Sequence, residues 1–492
     1  MSGPVGAVPS RVDGSIARAA FDQALEELDA LPLSDTRARV PYDYSLPAQD
    51  RPASPVAASE PHGGPGPLGE ALAALRSGDL SATELTTRSL QAIEERNSEL
   101  VAVVEVTAES ALATAARLDR AAAAGDTLGP LHGIPITVKD VIDVAGVPTR
   151  CASAVYEGRP DRDATSVARL RAAGAVILGK AATHEFALGV TSPQSRNPWD
   201  TTRIPGGSSG GSVAAVMSGM GLGSLGTDTR ASIRVPAALS GAVGFKATYG
   251  KVPTQGVVSL SWTMDHVAPM ACTVSDAARL LEVLTADGRP LAGIPARVDG
   301  LRIGVAHSAF ADASDALAGV VLDAIDRLGE EGATVSRSTL PSPEDLALAN
   351  AAGLVVSRVE AAAFHRGLGL DLDLYWEEVG DQLRAATTIA GVDYVDAQRR
   401  RGELAHRLLG AFDHHDVLVM PTAPVVAPLV DDFAGYLMLL SRNAIPWSFV
   451  GFPAVSVPCG QVDGLPVGLQ IVAPPDREDL LVAVGRMVEQ VR

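Results

Sequence analysis

Three short segments carry residue types suited to acyl transfer. The first is an apolar run ending on a lysine and an aspartate, Ile134-Pro135-Ile136-Thr137-Val138-Lys139-Asp140. The second is a Gly/Ser loop, Pro205-Gly206-Gly207-Ser208-Ser209-Gly210-Gly211-Ser212, and the third is Asp228-Thr229-Arg230-Ala231-Ser232-Ile233-Arg234. Together they offer a serine nucleophile and a lysine base. Lysine is scarce, because Lys139, Lys180, Lys246 and Lys251 are the only four among 40 basic residues. A buried ammonium can shed its proton whereas a guanidinium stays charged, so a site needing a neutral amine cannot use arginine. An arginine-biased composition explains the scarcity, but not a lysine placed after a run in which only Thr137 is polar.

The Gly/Ser loop satisfies G-x-S-x-G at Gly206–Gly210 and again at Gly207–Gly211, the pattern of a hydrolase nucleophile elbow. An elbow needs an apolar strand directly before it, and Asn197 to Pro205 is polar and broken by proline, so the elbow is rejected. Val213 to Met217 can open a helix behind the loop. A flexible linker is the plain alternative, and a phosphate cradle lacks the required Gly-Lys-Ser/Thr. His184, His266 and His365 lack the paired spacing of metal ligands or of a Ser/His triad and read as structural or supporting residues.

The elements that must position these segments follow from periodicity. Leu68–Ser77, Ser81–Arg96 (Ser81 and Glu84 in capping-box spacing) and Ala108–Ala124 predict helices. Leu131–Val138, Ala175–Leu178, Leu301–Val305 and Val417–Met420 predict short buried strands with helical stretches between them. That alternation predicts an α/β body around a largely parallel or mixed sheet. Residues 1–66 read as a separate N-terminal segment. It holds an amphipathic helix through Ile16, Ala20, Phe21, Ala24, Leu25 and Leu28, followed by a proline-rich stretch from Pro32 to Pro67 that is either a strap on the body or a linker. Residues 67–492 are expected to form one catalytic domain.

Composition excludes several classes. A net charge of -18 argues against nucleic acid as partner. Three dispersed cysteines, Cys151, Cys272 and Cys459, support neither a disulfide framework nor a zinc site, so a cytoplasmic setting is expected. No leader pattern or long apolar run predicts export or membrane insertion.

Pro205 to Gly250 resembles the amidase signature family, through its Gly-Gly-Ser-Ser-Gly-Gly loop, its nucleophile motif around Ser232 and the closing Val243-Gly-Phe-Lys-Ala-Thr-Tyr-Gly250. Gly133–Asp140 resembles the family's lysine strand, and Asp416–Pro428 and Gly451–Val472 resemble its later motifs, so the likeness runs from about residue 68 to 490. The resemblance implies a large central mixed, twisted β-sheet flanked by α-helices on both sides. It also implies a Ser/cis-Ser/Lys triad of Ser232, Ser208 and Lys139. In the family the bridging serine is the first of the Ser-Ser pair, 24 residues before the nucleophile, and Ser208 and Ser232 are 24 apart. The implied oxyanion hole is the backbone N–H groups of Thr229, Arg230, Ala231 and Ser232, with Ser209, Asp228 and Arg234 as support. No metal or organic cofactor is expected.

This chain departs from the pattern at Arg230-Ala231, where the family usually has Gly-Gly. Arg230 either points into the pocket and binds a carboxylate or polar carbonyl, or turns outward to a surface acid. Thr191, in a loop that looks short, and Trp262 and Met264 are further substrate-contact candidates, with packing as the alternative for the last two. The leading expectation is an amidase cleaving a small-molecule C–N amide, or a related carbamate, urea or ester, through a Ser232 acyl-enzyme. An acyltransferase or amide-forming enzyme using the same intermediate, and a non-catalytic member of a complex, are the alternatives. A homodimer is the prior for assembly.

Overall fold

Short buried runs punctuated by glycine, proline and polar turns give strands, and here they all join one sheet. The strands are β1 Val103–Val106, β2 Pro135–Lys139, β3 Val176–Ala181, β4 Gly223–Asp228, β5 Val243–Lys246 and β6 His266–Ala271. They continue with β7 Arg302–Ala306, β8 Thr334–Ser338, β9 Val417–Pro421, β10 Ala454–Val462 and β11 Leu465–Val472. The computed structural model describes residues 66–492 and, before them, the helical residues Ala19, Gln23, Ala24, Glu26 and Glu27. Apart from Gly66 and Pro67, where Pro67 opens the helix Pro67–Ser77, the expected strap at Pro32–Pro67 and most of the N-terminal helix lie outside the described residues.

The strand order is β1-β3-β2-β4-β6-β5-β10-β11-β9-β7-β8. Parallel pairs, β3/β2/β4 on one side and β9/β7/β8 on the other, flank an antiparallel middle built from β6, β5, β10 and β11. The sheet is thus mixed, and β2 to β5, β9 and β11 are buried along their whole length. Parallel strands with both faces covered are expected to be this uniformly apolar or small.

The predicted run Leu131–Val138 becomes a strand only from Pro135. Leu131 and Gly133 are instead held in a turn by bonds from their N–H groups to the Ala173 and Gly174 carbonyls, at 2.9 Å each. The helix expected from Ser81 runs Ala82–Leu100, with Ser81 and Glu84 closing the reciprocal cap at both backbone N–H groups. Strand β4 carries glycines where a larger residue would collide. A Cβ on Gly226 would lie 2.6 Å from Ile233 Cδ1 and 3.0 Å from Ser209 Oγ, so the Ser232 turn and the Gly/Ser loop both close onto this strand. The long helix Pro343–Leu368 passes the length and hydropathy test for a membrane span, but most of it is buried inside the protein, as befits a core helix. Its apolar side packs with Met264, Trp447, Phe449 and Phe452 in a second hydrophobic cluster, which also takes in Ala24.

Candidate active site

Strand β2 ends on Lys139, which has no solvent exposure. Its Nζ lies 2.8 Å from Ser208 Oγ and 2.8 Å from Thr227 Oγ1. Both neighbours are hydroxyls, which accept from an ammonium and can equally donate to a neutral amine. Burial pushes the Lys139 amine down from 10.5 to about 7, against the pull of Asp228, Asp265 and Cys151. Desolvation therefore wins, and the amine is poised between its two protonation states near neutrality.

Ser208 follows a cis Gly207–Ser208 peptide bond and is fully buried. Its carbonyl accepts from Ser192 Oγ at 2.9 Å, and Ser192 Oγ in turn accepts from Gly210 N–H at 3.0 Å. Gly207 is pressed against the Thr191 backbone, where an added Cβ would fall 2.2 Å from the carbonyl carbon. The neighbouring serine, Ser209, donates to the Thr227 carbonyl at 3.2 Å, so the Gly/Ser loop is tied to β4 at the residue that also holds Lys139. Gly210–Met217 is the helix anticipated from Val213 onward.

Ser232 sits in the turn between β4 and the helix Arg234–Ser240 and is 7 % exposed. Its hydroxyl enters neither of the hydrogen bonds that link Lys139 to Ser208 and Thr227. Among the described residues no turn or loop hydrogen bond uses the N–H of Thr229, Arg230, Ala231 or Ser232, while the next N–H, of Ile233, is taken by Asp228 Oδ2 at 3.3 Å.

The turn is braced from beneath. Arg234 Nε and Nη2 donate to the two Asp228 carboxylate oxygens at 3.0 and 3.1 Å, and neither side chain is exposed. Arg234 also reaches the Ala444 carbonyl, Gln470 and Ser448, so strand, turn and the distant helix Ile445–Phe449 share one hydrogen-bonded knot. Burial works against the Asp228 charge, yet Arg234, with Lys246 and His266 nearby, holds the carboxyl well below the usual carboxylate range. On the other side Thr229 Oγ1 donates to Asp265 Oδ1 at 2.7 Å. Burial pushes the Asp265 carboxyl up to about 6, opposed by bonds from Thr229, Ser259 and Ser261.

The remaining expected contacts separate. Thr191 is buried with its hydroxyl unpartnered, and its backbone abuts Gly207. Trp262 is 49 % exposed, whereas Met264 is fully buried in the second hydrophobic cluster and acts as packing. Arg230 does not pair with a surface acid. Its Nε is buried without an acceptor and its Nη2 makes one 3.5 Å contact with the Asn350 carbonyl. His184 bonds Glu378 at 2.7 Å, His365 bonds Tyr375, and His266 Nδ1 donates to the Met264 carbonyl at 2.7 Å, so none of the three faces a serine. Among the described residues no group of three or more His, Cys, Asp or Glu side chains is arranged to hold a metal.

Sequence reasoning missed Thr227, Ser192, Asp265 and Arg358. Ser192 and Asp265 do lie in the two loop segments, around Thr191 and around Trp262 and Met264, from which substrate contacts were expected.

The amidase family model matches residues 84–482. The chain belongs to the amidase family. A curated relative from Symbiobacterium thermophilum, a glutamyl-tRNA(Gln) amidotransferase subunit, is 38% identical over 84% of this chain and 94% of its own length. Among solved structures an amidase superposes with a TM-score of 0.81 at 32% identity, covering 86% of this chain and 99% of its own. A structure of a vestigial protein complex bearing on the origins of an s-triazine catabolic enzyme superposes with a TM-score of 0.80 at 31% identity, over 86% and 97% of the two chains. The amidase signature fold thus accounts for the mixed sheet with helices on both faces.

Proposed function

We propose that this amidase-family chain cleaves an amide C–N bond through an acyl-enzyme on Ser232. The observation that carries the reading is the buried Lys139 amine, titrating near neutrality, 2.8 Å from Ser208 Oγ. Neutral Lys139 accepts the Ser208 proton while Ser208 accepts that of Ser232, whose Oγ forms a bond to the amide carbon. The oxyanion receives the free N–H groups of residues 229–232, a contribution of about 3 kcal/mol per well-placed donor. The C–N bond then breaks as Ser208 returns a proton to the leaving nitrogen. Water, or another nucleophile, releases the acyl group by the same relay run again. Hydrogen bonds of this kind tighten when substrate binds, so the open Ser232 hydroxyl is compatible with the relay.

The likeness to amidotransferase subunits supports a finer reading: the released nitrogen is passed to an acceptor, and the chain works with a protein partner. A second reading, a stand-alone small-molecule amidohydrolase, is favoured by the closer superposition on an amidase, at a TM-score of 0.81 against 0.72 for a glutamyl-tRNA(Gln) amidotransferase subunit from Thermotoga maritima. A fluorophosphonate probe followed by mass spectrometry tests the shared chemistry. The expected result is one adduct on Ser232, lost in Ser232→Ala; labelling that persists in that variant refutes the nucleophile. Steady ammonia release from primary amides by the purified chain alone selects the second reading, and release only with a co-purifying chain selects the first.

A further inference from the structure

Burying a cation without an anion beside it is costly unless something supplies the anion. The partly exposed side chain of Arg230 reaches from the nucleophile loop to the helix Pro343–Leu368. It reaches the Asn350 carbonyl at 3.5 Å, and its buried Nε has no acceptor. Two turns further along that helix stands Arg358, on the same face by i, i+4, i+8 spacing through Leu354. The Arg358 side chain is buried, and its nitrogens contact neutral groups, Gln382 Oε1 at 2.7 Å and Ser357 Oγ at 3.4 Å. Burial pushes Arg230 down to about 9, and the positive charge of Arg358 pushes the same way. Burial likewise lowers Arg358 to about 10, with Glu378 opposing. That carboxylate is already bonded to His184 at 2.7 Å. Neither arginine has a carboxylate within ion-pair distance among the described residues.

Two guanidiniums gathered on one helix, neither with a carboxylate partner and one of them two residues from the nucleophile, form a half-built ion pair. We infer that Arg230 and Arg358 are a carboxylate-binding subsite, and that the amide cleaved at Ser232 carries a carboxylate on the same molecule. Arginine suits the task, because it stays charged when buried and meets a carboxylate with two parallel bonds. The glycine usual in the family at position 230 offers no such group, so this specificity belongs to the present chain. The inference rests on Ser232 being the nucleophile, and the experiment separates the two.

Ammonia release is measured for malonamate, succinamate and glutaramate against propionamide, butyramide and valeramide, and the binding of the same compounds to Ser232→Ala is measured by calorimetry. At least one semi-amide should be preferred over its neutral counterpart by tenfold or more in kcat/KM. That preference should fall at least tenfold in Arg230→Met and in Arg358→Gln, with partial recovery in Arg230→Lys. In Ser232→Ala the same semi-amide should bind more tightly than its neutral counterpart although nothing is cleaved. Equal binding of every charged and neutral pair by Ser232→Ala overturns the subsite even if the arginine variants do not fold. A preference that survives both substitutions overturns it as well. Probe labelling elsewhere than Ser232, with charged amides still bound preferentially, overturns the nucleophile and leaves the subsite standing.

Discussion

Lys139 makes a prediction about stability as well as rate. Its amine titrates at about 7 in the folded chain and at 10.5 when unperturbed. Between those values the unfolded chain binds a proton at this position and the native chain does not. Stability must therefore rise with pH across this window, by about 1.4 kcal/mol per unit. The full contribution is present above the unfolded value and is lost as pH falls toward the folded one. From pH 7.5 to 9.5, allowing for the fraction still protonated at the lower end, the gain is about 2–3 kcal/mol. Lys139→Met keeps the apolar stem and removes the titration. Urea denaturation of both proteins at pH 7.5, 8.5 and 9.5 should show the wild type gaining that amount relative to the variant. The variant should also lose the acid limb of kcat/KM, which in the wild type falls tenfold per unit below about pH 7. Stability curves that run parallel across this range would mean that Lys139 is not a desolvated neutral amine, and the relay would lose its base.

Thr227→Val removes a hydroxyl that accepts from the ammonium more strongly than from the amine, so the acid limb should move down by about 0.5–1 pH unit; a pH profile checks this. Ser192→Ala breaks the bonds to the Ser208 carbonyl and from Gly210 N–H, and should cost about 1–3 kcal/mol in urea denaturation, with kcat falling more than KM rises. Arg234→Met leaves Asp228 buried and unpaired, and should cost about 3–5 kcal/mol. In whatever fraction remains folded, the acid limb of kcat/KM should move to higher pH.

The catalytic segments were legible because their chemistry demands particular residue types. Lys139 at the end of a buried strand and Ser208 24 residues before Ser232 are local patterns, and the structure brings Lys139 and Ser208 into hydrogen-bond contact. The lysine census was a weaker guide. Lys180 pairs with Asp140 at 2.9 Å, Lys246 donates to the Phe452 carbonyl and Lys251 meets Asp476 at 2.8 Å, so only Lys139 faces a serine. Strand β4 was hidden, because Gly-Ser-Leu-Gly-Thr-Asp has neither apolar alternation nor β-branched weight until the packing that needs small residues is known. The contact of Asp265 with Thr229 and the place of Arg358 were invisible for another reason. Their relation to the nucleophile loop is made by chain segments 36 and 128 residues away from Thr229 and Arg230, and no spacing rule spans that distance. The direction of Arg230 was equally undecidable from sequence, since it depends on whether an acid is there to meet it.

The brace and the base are coupled electrostatically. Asp228 is among the charges that favour a protonated Lys139, yet burial outweighs it and the amine still titrates near neutrality. The Asp228 carboxylate is moreover engaged at both oxygens by Arg234, with Ser448 donating to it at 2.9 Å. A carboxylate so occupied exerts a reduced net field on the lysine, because the guanidinium cancels most of its charge at longer range. Removing Arg234 exposes Lys139 to an uncompensated anion and so favours the ammonium, which cannot accept the Ser208 proton. The Arg234→Met acid limb should therefore move up in pH even where the loop remains folded. Misplacement of the turn alone would lower kcat at every pH and leave the limb where it was, so the profile distinguishes a tuning role of the ion pair from a purely mechanical one.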